Sequence, residues 1–142
     1  SDRQNRADQR GTESALSMQT QHTKPARGLK RVINAWGYSI QGLRAGLSEP
    51  AFLEETLLAC IMIPAAFWLG QTWLEVSLLV AVVVLVLVTE LLNTGIEAAI
   101  DRISLDHHPL SKRAKDVGSA AVMLALLLCG GIWAAALFNR FA

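Results

Sequence analysis

Residues 78–88 read LLVAVVVLVLV, eleven positions without a polar side chain. A helix built from such a run is apolar all round and has no face to offer to water, so it must be enclosed by a large core or by lipid. The chain has 142 residues, 52% of them hydrophobic and only 6% aromatic. That composition, gathered into long unbroken stretches, points to one small domain of membrane-spanning helices and not to a globular core. The run belongs to a span expected over residues 74–103. Two more are expected over residues 51–69 and 112–138, each near or above the ~20 residues that cross the hydrocarbon layer.

The same span then breaks its own pattern. Asn93, Glu97 and Asp101 follow Glu90 at steps of three, seven and eleven, and at ~100° per residue these steps bring all four polar side chains into one narrow stripe. A carboxylate inside a spanning segment is costly unless a cation or a hydrogen-bond donor holds it, so such a residue is a functional-site candidate by default. The alternative is that Glu90 sits harmlessly at the water interface, and an aligned stripe argues against it.

Residues 1–24 are polar and rich in turn formers, without apolar periodicity, and are expected to form a disordered tail outside the fold, with Met18 as a candidate native start. They lack the pattern of a cleavable signal peptide, so insertion is expected to be driven by the internal spans. Over residues 27–47, Leu29, Val32, Ile33, Trp36, Ile40 and Leu43 fall on one side of a helix, with Lys30, Arg31, Asn34, Gln41 and Arg44 largely on the other. Basic residues on the polar face and tryptophan on the apolar one describe a helix lying in the membrane interface. Ser48-Glu49-Pro50 reads as the start of the first span, with Ser48 as cap. Glu54 and Glu55 fall in its first turns, and Pro64 inside it should bend it or be accommodated by a neighbour.

Gly70-Gln71-Thr72 is a tight connection flanked by Trp68 and Trp73 as interface anchors. SLDHHPLS, residues 104–111, is a polar loop before the third span. Lys30, Arg31, Arg44, Arg102, Lys112, Arg113 and Lys115 lie on one side of this arrangement and Arg140 on the other, so the positive-inside rule places the N-terminus in the cytoplasm and the C-terminus outside. Cys60 and Cys129 sit in apolar runs, and their spacing matches no zinc or redox motif.

Lys112, Lys115, Asp116 and Ser119 share a face at the start of the third span, opposite the polar stripe. Glu49 begins the first span at similar depth, which would group Glu49, Glu90 and Glu97 beside two lysines. Three carboxylates at one depth repel one another unless they share divalent cations, and oxygen ligands suit magnesium, which keeps waters and substrate phosphates in its shell. Lysines beside such a cluster suit polyphosphate. A carboxylate placed deeper is fitted to act as general base toward an alcohol arriving from the membrane. No phosphate-cradling glycine loop and no soluble protein-kinase motif occurs. Spacing alone therefore reaches a polar membrane-interface site for metal and phosphate, with snorkelling lysines that merely pair with the acids as the bland alternative. A proton or ion pathway, the rival from another class, would need polar groups through the whole bilayer, and residues 78–88 offer none.

The stretch ELLNTGIEAAIDRISLDHHPLSKRAKDVGSAAV, residues 90–122, resembles the signature of the prokaryotic diacylglycerol kinase family. GYS from Gly37, GLRA from Gly42 and EPAF from Glu49 resemble the family's N-terminal motifs in the same order. The resemblance implies an all-α integral membrane protein of the bacterial inner membrane, an interfacial amphipathic helix followed by three transmembrane helices in a homotrimeric bundle. It implies transfer of the γ-phosphoryl group of MgATP to the hydroxyl of diacylglycerol, giving phosphatidic acid. The partners so implied are ATP, the lipid and further copies of the chain, with Mg2+ as cofactor and no nucleic acid. Carried over residue by residue, Glu90 resembles the catalytic base, and Glu49 and Glu97 the metal-binding acids, which also meet the nucleotide. Arg31, Tyr38, Lys115 and Asp116 match nucleotide-binding positions, and Asn93, Asp101, Ser119 and Glu55 match further active-site or substrate positions. The segment before Glu49 is one residue shorter than in the enterobacterial type, and Leu53 stands where that type carries an arginine. DRIS from Asp101 and GSAAV from Gly118 resemble the Gram-negative diacylglycerol type more than undecaprenol kinase, the related alternative.

Overall fold

A computed structural model describes residues 28–103 and 106–142. The tail expected over residues 1–24, Met18 included, lies outside the described residues, as do Arg27, Ser104 and Leu105. Four helices follow in order, α1 (Leu29–Leu47), α2 (Pro50–Leu69), α3 (Trp73–Ile103) and α4 (Pro109–Phe141), with no strand among the described residues. The chain divides into two units, each described by itself: α1 as far as Tyr38 belongs to the first, and residues from Ser39 onward form the second. Helices α2, α3 and α4 are long and apolar enough to cross a membrane, as expected for an all-α membrane protein. The apolar side chains of α1 that define its amphipathic face, from Leu29 to Leu43, are all exposed.

Helix α1 ends against the second unit's own core. A Cβ added at Gly46 would fall 2.7 Å from Leu91 Cδ1 and 3.0 Å from Phe52 Cδ1, so only glycine lets the backbone approach there. Ser48 is not the cap of α2. Its hydroxyl donates back to the Ala45 carbonyl at 2.5 Å, while Glu49 takes the N-cap position without a side-chain cap and Pro50 begins the helix. The Ala45 carbonyl accepts from the Ser48 N–H at 3.2 Å as well as from this hydroxyl, so the serine closes the helix behind it instead of serving the next one. Helix α2 runs unbroken through Pro64.

Helix α3 is the axis of the second unit. It packs against both α2 and α4, which scarcely meet each other. Its buried residues, Leu79, Val82, Val83, Val86, Glu90 and Asn93, recur at steps of three and four, the period of one helix face. Ala59 of α2 and Ala125 and Cys129 of α4 close on Val82, Val83 and Val86, small residues that let the helices come near. Nearer the α2–α3 connection, Ala66, Leu69 and Leu79 make a second cluster. There the Trp133 indole N–H donates to the Leu79 carbonyl at 3.3 Å and ties α4 to α3.

The connection at Gly70-Gln71-Thr72 is as tight as expected, and it carries a reciprocal cap. Thr72 Oγ1 accepts from the Glu75 N–H at 3.2 Å, and the Glu75 carboxylate accepts from the Gln71 and Thr72 N–H groups at 2.6 and 3.3 Å. Helix α4 begins at Pro109, ahead of the expected Lys112, because His108 caps it: Nδ1 accepts from the Leu110 N–H at 3.2 Å and Pro109 fills the first position. It continues to Phe141, so Arg140 lies in its last turn and not beyond it.

Candidate active site

The polar stripe of α3 forms a ladder that enters the protein at one end and leaves it at the other. Glu90 and Asn93, 7% and 8% exposed, are its buried members, whereas Glu97 and Asp101 are exposed. Glu90 lies roughly 26 Å along the axis from Trp73, which keeps it within a ~30 Å hydrocarbon layer when Trp73 marks the far face. Half-buried Glu55 of α2 interacts electrostatically with Glu90, and Glu90 interacts likewise with Glu97. Carboxylates so placed are relieved either by a compensating cation or by taking up a proton.

Three polar atoms near this ladder have no hydrogen-bond partner among the described residues although they are buried: Glu55 Oε2, Thr56 Oγ1 and Asn93 Oδ1. Buried polar atoms without a partner are rare in native interiors, and these three mark where water or another group can bind. The amide of Asn93 donates to Glu97 Oε1 at 3.4 Å. Its Oδ1 presses on the backbone of α4, where a Cβ added at Gly118 would stand 2.3 Å away.

Above Asn93 the two helices are joined by charge. Lys115 Nζ donates to Asp101 Oδ1 at 2.7 Å, a bridge from α4 to α3, and lies within electrostatic reach of Glu97. Lys112 donates to Asp116 Oδ2 at 2.5 Å within α4. All four residues line a cleft of about 740 Å³ together with Ile100, Asp106, His107, His108, Pro109 and Ser111. A volume of that order suits a small molecule. From Asp101 in the cleft, past Glu97 and Asn93, to Glu90 is a descent of roughly 16 Å, which an extended nucleoside triphosphate can bridge.

The acid group expected from Glu49, Glu90 and Glu97 is not assembled in one chain. Among the described residues, no three His, Cys, Asp or Glu side chains come close enough to hold a metal ion. Glu90 is turned into the contact with α2, Glu97 is exposed roughly 10 Å further along α3, and Glu49 is exposed at the head of α2. Ser119 is exposed beside Gly118. Arg31 and Tyr38 are exposed and belong to the first unit, described apart from the site. Thr56, Asp106, His107, His108 and Ser111 were not anticipated as neighbours of the site. The histidine pair two turns before Lys115 was the available signal, since a loop this short must fold beside the helix ends it joins.

The comparisons with known proteins match this part of the chain. A family model described as prokaryotic diacylglycerol kinase matches residues 37–137, which contain the whole ladder, both ion pairs and the cleft. A diacylglycerol kinase of Pseudomonas aeruginosa is 49% identical over 117 residues, covering 82% of this chain and 95% of the relative. One from Haemophilus influenzae is 47% identical over 112 residues, 78% of this chain and 95% of the relative. One from Escherichia coli is 42% identical over 115 residues, 80% of this chain and 94% of the relative. With three apolar helices in the expected order and identities of this size over nearly the full length of those relatives, the chain belongs to the prokaryotic diacylglycerol kinase family.

Proposed function

We propose that this chain is an ATP-dependent lipid kinase that phosphorylates the free hydroxyl of diacylglycerol to give phosphatidic acid. The observation that carries the reading is the placement of Glu90: a carboxylate held among apolar residues at the inner end of a ladder whose outer end opens into a cleft with two lysines. Soluble nucleotide at one end and membrane alcohol at the other is the arrangement that phosphorylation of a lipid requires. The diacylglycerol kinase relatives favour diacylglycerol over undecaprenol as the acceptor.

In this reading the lipid hydroxyl gives its proton to a Glu90 carboxylate oxygen while its oxygen attacks the γ-phosphorus in line. The bond from the γ-phosphorus to the bridging oxygen breaks, and ADP leaves with the electron pair. Lys115 faces the phosphates as a point charge, and Asp101 holds its ammonium in place from the opposite helix. Asp116 faces the rest of the nucleotide, and Arg31 and Tyr38 keep the nucleotide-binding roles that the family resemblance implies for them. Glu55, Asn93 and Ser119 line the approach of the lipid headgroup, and the apolar layer of Ala59, Val83 and Val86 below Glu90 keeps water from the acceptor side.

The donor set fits magnesium. Glu49 and Glu97 offer exposed hard oxygens, Asn93 Oδ1 lacks a partner, and an ion that keeps waters and phosphate oxygens needs only one or two protein carboxylates. When bound, it supplies charge neutralisation and orientation of the triphosphate. We place the complete site in a homotrimer, where exposed Glu49 and Glu97 and the exposed small residues Ala120, Ala121, Gly130 and Gly131 meet neighbouring helices. The cleft faces the cytoplasm across the inner membrane, because the basic residues gather on that side.

The test is transfer of label from [γ-32P]ATP to lipid in mixed micelles, with and without magnesium. Labelled phosphatidic acid formed from diacylglycerol, dependent on magnesium and faster than labelling of undecaprenol, is expected. No labelling of either lipid by folded protein would reject the kinase reading, and a preference for undecaprenol would replace its acceptor.

A further inference from the structure

Lys112 stands in a position that helix energetics do not favour. It falls at the end of the first turn of α4, a turn without an acidic residue, where the positive end of the helix dipole makes a cation unfavourable by roughly 0.3–1 kcal/mol. Its ion pair with Asp116 returns about 0.3–0.5 kcal/mol at most, as an exposed i,i+4 pair does. Stability therefore does not account for the lysine. Its location does point to a role, since it lines the same cleft as Lys115, Asp101 and Asp116.

The charges of that cleft are closed upon themselves. Among the described residues lining it, both lysines already hold a carboxylate, Lys115 that of Asp101 and Lys112 that of Asp116, with Asp106 as a third acid. An ammonium has three N–H donors, so an arriving polyphosphate can share a lysine with its aspartate or displace the aspartate from it. The two pairs are not equally easy to open. Lys115–Asp101 joins two helices and its side chains are 39% and 50% exposed, whereas Lys112–Asp116 lies within one turn of α4 with side chains 76% and 61% exposed. Opening the second moves no helix and desolvates nothing.

On the kinase reading above, we propose that Lys112 is a nucleotide-binding residue working by exchange: the outer phosphates of the bound nucleotide, those shared by ATP and ADP, replace Asp116 on its ammonium. Lys115, further in along the ladder and fixed by Asp101, keeps the γ-phosphate. Release of Asp116 leaves its carboxylate free to accept from the nucleotide at the moment the phosphates arrive. Lys112 thus sets affinity for the nucleotide and not the rate of transfer.

The experiment compares wild-type protein with Lys112→Gln and Lys112→Arg in the same micelles, with helicity and thermal midpoint checked for each. In Lys112→Gln the KM for MgATP and the inhibition constant of MgADP should both rise about five- to tenfold, the loss of one charged hydrogen bond at an exposed site, with kcat within twofold. Inhibition by AMP should weaken less than inhibition by MgADP, because AMP carries only one of the two outer phosphates, and Lys112→Arg should restore most of the affinity. Unchanged KM for MgATP in folded Lys112→Gln overturns the proposal, as does a loss confined to kcat. Turnover by the wild-type protein tests the kinase reading separately. Should that turnover be absent, equilibrium binding of β,γ-methylene-ATP to wild type and Lys112→Gln decides the proposal: equal affinities overturn it, and a five- to tenfold difference supports it.

Discussion

Replacing Gly118 by alanine tests the joint on which the geometry of the site depends. The added Cβ would stand 2.3 Å from Asn93 Oδ1 and 3.4 Å from its Cγ, with Ile96 Cδ1 at 3.8 Å, so the amide must withdraw by about 1 Å. Asn93 is buried on its other sides and also donates to Glu97, so the displacement passes into the ladder. Overpacking of this size costs about 1–3 kcal/mol, and a 1 Å misplacement of groups around a reacting centre reduces turnover by up to ~10²-fold. Gly118→Ala should therefore lower the thermal midpoint in detergent micelles modestly and turnover severely. The clash is with one side chain, which makes the reasoning sharper in a double-mutant cycle: the stability cost of Gly118→Ala should vanish in an Asn93→Ala background. An equal cost in both backgrounds, or full activity of the single variant, would refute the Asn93–Gly118 contact as the cause.

Three further outcomes are expected. Glu90→Gln should reduce turnover by about 10²–10⁴-fold while the protein stays folded and still binds ATP, as measured by equilibrium binding; near-normal turnover would remove Glu90 from the chemistry. Glu49→Gln and Glu97→Gln should each shift the magnesium dependence of activity to higher concentration, since each removes a hard oxygen ligand; unchanged midpoints in both would mean that neither is a ligand. Mixing inactive Glu90→Gln chains with inactive Glu49→Gln chains should restore part of the activity if one site draws those residues from different subunits. No recovery in mixtures shown by cross-linking to contain both chains would refute the shared site.

The helices were legible because their signals are local and repetitive. The apolar run over residues 78–88, the glycine at the α2–α3 connection and the step pattern of Glu90, Asn93, Glu97 and Asp101 each depend on spacing within one element. What sequence did not disclose depends on choices between elements. Ser48 could serve either the helix behind it or the one ahead, and its hydroxyl turns back to the Ala45 carbonyl of the helix behind. His108 caps α4 with its imidazole, an uncommon cap, so nothing in the polar loop marked Pro109 as the start of the helix. The contact of Asn93 with Gly118 and the bridge from Lys115 to Asp101 join residues 25 and 14 positions apart, a relation that exists only once α4 lies against α3. The dispersal of Glu49, Glu90 and Glu97 has the same origin, for one heads α2 and the other two stand roughly 10 Å apart along α3, so alignment in sequence does not bring their side chains to one point.

The apolar run that opens α3 also governs whether its carboxylate reaches the bilayer at all. On an insertion scale each leucine or valine near the centre of a span favours entry by about 0.3–0.6 kcal/mol, so the run contributes up to roughly 3–6 kcal/mol, against at most about 2.5–3.5 kcal/mol opposing entry for an acid at the centre and less for one toward a face, as Glu90 is. The translocation machinery meets α3 as a separate segment, before Glu55 of α2 or Gly118 of α4 can help to shelter Glu90. The run therefore more than offsets its one buried acid. Exposed valines of the run outside the packed clusters, such as Val84, are in that sense part of the site's biogenesis: a polar residue there would act on the yield of inserted chains while leaving the chemistry of those that do insert untouched.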